Sequence, residues 1–171
     1  DDPKAALALA DATLDASDSE SRFWRLLGKA GAYTVLEQPS LAQRSVDEAR
    51  LRLGRVPTAT PRHHLWLESY AIGALFRTED SAKLIKRSVE LRRAAAALGD
   101  EYLLCEISAG DLFLLRETQA LDEAWRVAED TERCGRKLGL LHLETSALIS
   151  LGSLASSLSG QESRPVTWCV T

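Results

Sequence analysis

Leu98-Gly99-Asp100 recurs as Leu138-Gly139-Leu140, 40 positions further along this chain of 171 residues. Trp24 and Trp66 stand 42 positions apart. A period between about 20 and 50 residues is typical of stacked supersecondary units, each of which buries its apolar face only against its neighbours. The repeat therefore predicts a solenoid built from similar units.

Apolar residues at helical spacing predict eight helical segments joined by short loops. Even-numbered segments begin near residues 19, 61, 101 and 140 and odd-numbered ones near 40, 80 and 120, so alternate helices lie about 40 residues apart. Strong helix formers dominate, and only 5 prolines are present. We therefore expect an all-α helical repeat domain of about eight antiparallel helices over residues 1–158, followed by a C-terminal tail over 159–171. A helical bundle is the alternative, because periodicity does not set connectivity.

The same spacing predicts which side of each helix is buried. The inward stripes of the fourth and eighth helices are Leu65, Ser69, Ile72 and Phe76, and Leu141, Thr145, Leu148, Gly152 and Ala155. We expect small residues at contact positions to let neighbouring helices approach closely. These are Gly28, Gly31, Gly73, Ala74, Gly110, Gly135 and Gly152.

Composition excludes few classes of protein. The chain is 45% hydrophobic and 27% charged, as in ordinary soluble domains. Its net charge of −4 argues against direct binding of nucleic acid. The poorly charged segment 138–158 carries His142, Glu144 and several serines, which are costly at bilayer depth, so we expect no membrane span. We expect a cytoplasmic location. A periplasmic one is the alternative, since Asp1-Asp2-Pro3 resembles the mature N-terminus of some extracytoplasmic sensor modules.

Few residues suggest metal or catalytic chemistry. The chain has 3 cysteines without C-x-x-C spacing, so neither a zinc site nor a disulfide framework is predicted, and we interpret Cys105 and Cys134 as small buried hydrophobic residues. His63 and His64 project about 100° apart on a helix, and Glu68 alone completes no metal site. No catalytic motif is present. We therefore expect a protein that is not an enzyme and has no cofactor.

Two stretches carry a family resemblance. Trp24-x-x-Leu27-Gly28 resembles the first helix of a tetratricopeptide repeat, and Leu121-Asp122-Glu123-Ala124, running on to Lys137-Leu138-Gly139, resembles its second helix and closing turn. The likeness is greatest to the longer, 40-residue variety of bacterial regulators. It implies a right-handed α-α superhelix whose first helices line a concave groove. Leu112 departs from the pattern, because a small residue is usual there.

A basic stripe on the second helix is the candidate binding site. Arg22, Arg25 and Lys29 share one helix face, and arginine suits carboxylates and phosphates. The resemblance places all three in the groove. The groove wall would continue along the fourth helix through His64, Leu67 and Tyr70. The alternative is a solvated face that pairs with Glu20 or with acidic residues of the first helix.

These expectations favour a non-enzymatic protein- or peptide-binding module of a larger bacterial signalling or transcription-regulatory protein, with an acidic partner. The alternative is a small-ligand sensor domain of an extracytoplasmic signalling protein such as a diguanylate cyclase. The apolar terminal helix Leu141–Leu158 further suggests self-association. The tail over 161–171 is expected to cover that helix.

Overall fold

A computed structural model describes residues 2–12, 18–118 and 120–159 of the chain. These residues form eight α-helices and no strand, so the all-α helical-repeat prediction is confirmed. The helices are α1 Pro3–Ala12, α2 Ser19–Val35, α3 Pro39–Leu53, α4 Pro61–Leu75, α5 Ser81–Ala97, α6 Glu101–Glu117, α7 Leu121–Leu138 and α8 Leu141–Ser159. No helix in these ranges combines the length and the apolarity needed to cross a membrane. The predicted tail lies, from residue 160 onward, outside the described residues.

The helices fall into two compact units. The first contains α1 to α5, and the second contains α6 to α8 and begins at Asp100. In the first unit α2 packs against α1, α3 and α4, while α4 also packs against α3 and α5. In the second unit all three helices pack against one another. The single repeat domain over 1–158 stays a prediction.

Local sequence sets where the helices begin and end. An aspartate stands just before each of α2, α5 and α6. Its side chain accepts a hydrogen bond from the backbone N–H of the residue three positions later, as an N-cap residue does. These pairs are Asp18 with Ser21, Asp80 with Lys83, and Asp100 with Leu103. Gly99 and Gly139 follow α5 and α7 with φ of 67° and 68°, a left-handed conformation that glycine adopts without strain. The repeated Leu-Gly pair is therefore a signal that ends the second helix of a repeat.

The core of the first unit lies between α2, α3 and α4. Its buried members are Phe23, Leu26, Leu27, Ala30, Ala42, Val46, Ala49, Leu53, Val56, Leu67, Ala71 and Ala74. The predicted face of α4 is only partly correct. Ile72 is buried as expected, whereas Leu65, Ser69 and Phe76 are half-buried. Three neighbouring helices cover α4, so its burial follows their positions and not its widest apolar stripe.

The predicted face of α8 is wrong. Leu141 and Leu148 are 73% and 51% exposed, whereas Leu143, Ala147 and Leu154 are buried. The helix is apolar around most of its circumference, so periodicity does not select the side that packs. The connection between α7 and α8 is only two residues long, so it limits which side of α8 packs against α7.

Gly135 sets the approach of α8 to α7. A Cβ atom built on it would stand 2.7 Å from the backbone nitrogen of Glu144. The expected close approach is therefore found at Gly135, and also at Gly31, where a Cβ would stand 2.9 Å from the ring of Tyr70. It is not found at Gly28, Gly73 or Gly110, where such a Cβ would meet no heavy atom of another described residue within 4 Å.

We predict that Gly135→Ala destabilises the protein by about 1–3 kcal/mol, because the new methyl group forces α8 away from α7. The matched control is Gly110→Ala on α6, where the space is open and alanine favours the helix by about 0.5–1 kcal/mol. Urea unfolding followed by circular dichroism measures both changes. Equal stability of the two variants would contradict the close packing at Gly135.

Candidate partner-binding surface

Aromatic side chains meet where α2 packs against α4. The ring of Trp24 on α2 lies edge-on to that of Trp66 on α4, with centroids 6.3 Å apart and planes at 81°. The rings of Trp66 and Tyr70 are 6.2 Å apart along α4. We call Trp24, Trp66 and Tyr70 the α2/α4 aromatic face. The edge-on pair of Trp24 and Trp66 has one of the favoured geometries for aromatic rings.

Trp24 is both held in place and open to solvent. Its ring packs edge-on against the buried Phe23 at 4.9 Å and lies 5.1 Å from the ring of His63. It nevertheless keeps 36% of its surface exposed. Because its rotamer is fixed by neighbours, little conformational entropy remains to be lost when a partner covers it.

Glycines lie beside the aromatic residues on both helices. Gly31 brings the backbone of α2 against the Tyr70 ring. Gly28, one turn after Trp24, and Gly73, one turn after Tyr70, border open space within the described part of the chain. The surface beside the rings therefore has room for the side chains of a bound molecule.

A polar network fixes His63 beneath this face. The backbone N–H of Thr60 donates to Nδ1 of His63 at 3.2 Å, which closes a capping box at the start of α4. Since Nδ1 accepts this hydrogen bond, the neutral ring carries its proton on Nε2. That nitrogen lies 3.2 Å from Oε1 of Glu20 and donates to it. The other carboxylate oxygen of Glu20 accepts from the hydroxyl of Thr58 at 3.0 Å.

These hydrogen bonds stabilise the charged form of Glu20. The pKa of Glu20 is lowered, first by the hydrogen bond from Thr58 and next by that from His63. The network joins the first turn of α2 to the loop before α4 and to the first turn of α4. Glu20 is thus a structural partner of His63.

The structure separates the six predicted site residues. Gly31 faces Tyr70 and so marks the side of α2 that is turned toward α4. Successive residues of a helix project about 100° apart. The side chains of Arg22, Arg25 and Lys29 therefore project about 120–180° away from that side. These three side chains are half-buried. The basic stripe and the α4 wall therefore do not line one groove.

The three predicted residues of α4 also occupy different environments. Tyr70 belongs to the aromatic face, whereas His64 is exposed and lies about 120° around the helix from Tyr70. Leu67 is buried in the core, so its side chain contributes packing and is not presented on the surface as predicted. The 42-residue spacing of Trp24 and Trp66 was the signal for the aromatic face, because it placed both rings at the same position of successive repeats.

Glu68 does not join His64 in a polar site. Its Oε1 accepts from Nε and Nη2 of Arg87 on α5, at 3.0 Å and 2.6 Å, and this ion pair ties α4 to α5. Within the described ranges, no three or more His, Cys, Asp or Glu side chains are grouped as metal ligands would be.

We predict that Glu20→Gln lowers the melting temperature by a few degrees at pH 7 and that this deficit shrinks as the pH is lowered. A carboxyl group whose pKa is lowered by folding stabilises the folded state above its unfolded pKa, and this contribution is lost as the pH falls through the folded pKa. The control is Glu48→Gln, since Glu48 is exposed and, among the described residues, pairs with Arg44 of its own helix. A deficit of the Glu20 variant that stays the same size as the pH falls would show that packing, and not charge, is responsible.

Comparisons with protein-family models, with curated proteins and with solved structures gave no match. The geometry of the surface and the repeat resemblance are therefore the basis for a functional proposal.

Proposed function

We propose that this chain is a non-enzymatic interaction module that binds a protein or peptide partner across the α2/α4 aromatic face. The observation that carries the proposal is the state of Trp24, an indole packed against Phe23 and His63 and yet 36% exposed. Tryptophan and tyrosine are enriched among the residues that supply most of the binding energy at protein interfaces. The resemblance to tetratricopeptide repeats, whose first helices line the binding groove, points to the same two helices.

The depression beside α2 and α4 is too small to enclose a small ligand. It lies at the far end of the two helices, where Arg77 pairs with Glu37 at 2.6 Å, and has a volume of only about 20 Å³. Pockets that enclose small molecules usually have about 300–1,000 Å³ and converging polar groups. An elongated partner that lies along both helices makes better use of rings and open glycine positions spread over several turns.

The polar groups beneath the face have a structural role. Both ring nitrogens of His63 take part in the network with Thr60 and Glu20, and the residue is buried. The same network holds the Glu20 carboxylate to Thr58 and so positions the first turns of α2 and α4.

We place the module in a larger bacterial signalling or transcription-regulatory protein, on the basis of the repeat resemblance, and in the cytoplasm. The basic stripe of Arg22, Arg25 and Lys29 remains a candidate for an acidic partner, on a different side of α2 from the aromatic face. The two surfaces make separate predictions, because only contacts with the basic stripe depend strongly on salt.

The test uses peptides selected on the chain from a random display library and measured by fluorescence polarisation. We expect Trp24→Ala to weaken the selected peptides about tenfold or more. Gly28→Gln should do the same, because its side chain enters the open space beside Trp24 without a clash. The matched control is Gly110→Gln on α6, another open glycine position, which should bind as the wild type does.

Three outcomes would decide between the surfaces. Equal loss in Gly28→Gln and Gly110→Gln would contradict the aromatic face as the binding site. A loss confined to Arg25→Glu, with a weaker salt dependence, would assign binding to the basic stripe. The proposal would be overturned if every selected peptide bound Gly28→Gln as tightly as it binds the wild type.

The exposed side of α8 supports self-association as a second proposal. Leu141, Leu148 and Ile149 are 73%, 51% and 64% exposed, and neighbouring apolar residues of this kind mark interaction surfaces. We expect light scattering to detect concentration-dependent dimers in the wild type and monomers in Leu148→Glu. Ser157→Glu, on another side of α8, should dimerise as the wild type does. A wild type that stays monomeric up to about millimolar concentration would contradict the proposal.

A further inference from the structure

Two cysteines face each other across the packed helices α6 and α7. Sγ of Cys105 on α6 donates to the backbone carbonyl of Thr131 on α7 at 3.8 Å. Sγ of Cys134 on α7 donates to the carbonyl of Glu101 on α6, also at 3.8 Å. Glu101 lies one turn before Cys105, and Thr131 lies one turn before Cys134. The contacts are therefore reciprocal and place the two sulfur atoms beside each other.

We propose that Cys105 and Cys134 are a redox pair, which forms a reversible disulfide joining α6 to α7 when the protein meets a peroxide. In the structure both thiols are free. The pair lies in the second unit, apart from the α2/α4 aromatic face, and does not depend on the function proposed for that face.

The surroundings of the two sulfurs differ and set the order of reaction. Cys105 is only 1% exposed, while Cys134 is half-buried and accessible to a small oxidant. Burial raises the pKa of Cys105, with a further contribution from a hydrogen bond to the Cys134 side chain. Cys134 is therefore the thiol that meets the oxidant first.

The chemistry balances with hydrogen peroxide as the oxidant. The Cys134 thiolate attacks one peroxide oxygen, the O–O bond breaks, and a sulfenic acid and hydroxide form. Cys105 then attacks the sulfenic sulfur, the S–O bond breaks, and water leaves as the S–S bond forms. Overall, two thiols and one peroxide give one disulfide and two waters. The disulfide is uncharged, so the burial that disfavours a Cys105 thiolate does not disfavour the product.

The test treats the reduced 171-residue chain with one equivalent of hydrogen peroxide and alkylates the remaining thiols. The peptides are then mapped by mass spectrometry without reduction. We expect a monomer with a link between residues 105 and 134, a mass lower by two hydrogens, and an alkylated Cys169. The melting temperature should rise by roughly 10 °C and return to its starting value with reductant. In Cys105→Ser, oxidation of Cys134 should stop at a sulfenic acid that dimedone traps.

Other products would overturn the proposal. They are alkylation of both Cys105 and Cys134 after the peroxide is consumed, a link that involves Cys169, or a dimer joined between chains. The wild-type peptide map is decisive by itself, so the conclusion does not depend on correct folding of the serine variant. Cys169→Ser provides the matched control and should form the same link as the wild type.

Discussion

Close packing against two helix glycines, one in each unit, is the constraint that sets how near the neighbouring helices lie. Gly31 lets the backbone of α2 reach the ring of Tyr70, and Gly135 lets the last turn of α7 reach the first turn of α8. A methyl group at either place would occupy a position 2.7–2.9 Å from a neighbouring heavy atom. Packing at protein density cannot absorb such an overlap without moving a helix or a ring. The aromatic face depends on the first contact, since Tyr70 and Trp66 are held by the packing of α4 on α2.

The periodic part of the fold could be predicted from the sequence because short-range signals set it. Aspartates at the starts of helices and Leu-Gly pairs at their ends act within about four residues of their own position. The inward residues of α3, Ala42, Val46, Ala49 and Leu53, are buried as their spacing indicates, since the other side of that helix is polar. For α8 the spacing of apolar residues predicted the wrong side. Apolar residues lie on several sides of this helix, so their spacing does not show which side is buried.

The candidate surface was less predictable because it depends on which helices are neighbours and how they are rotated. The basic stripe of α2 is a real feature of one helix, but a single helix does not show which of its sides faces the next repeat. The spacing of Trp24 and Trp66 did indicate the neighbouring sides of α2 and α4. The two residues hold the same position in successive repeats, and their rings lie 6.3 Å apart. Likewise, Cys105 and Cys134 are 29 positions apart, match no spacing motif, and become neighbours only through the packing of α6 on α7.

The two units differ in how far their candidate functional side chains are exposed. In the first, an indole remains partly exposed because a hydrogen-bonded histidine and a buried phenylalanine support it from below. In the second, a thiol is buried between helices and meets another thiol at its side. A ring fixed at a helix surface suits recognition, since its geometry is set before a partner arrives. A thiol pair between helices suits control of stability, because a bond formed there restricts the unfolded chain without adding any group to the surface. The proposed binding surface and the proposed disulfide, one in each unit, thus draw on the same pattern of small, apolar and aromatic residues.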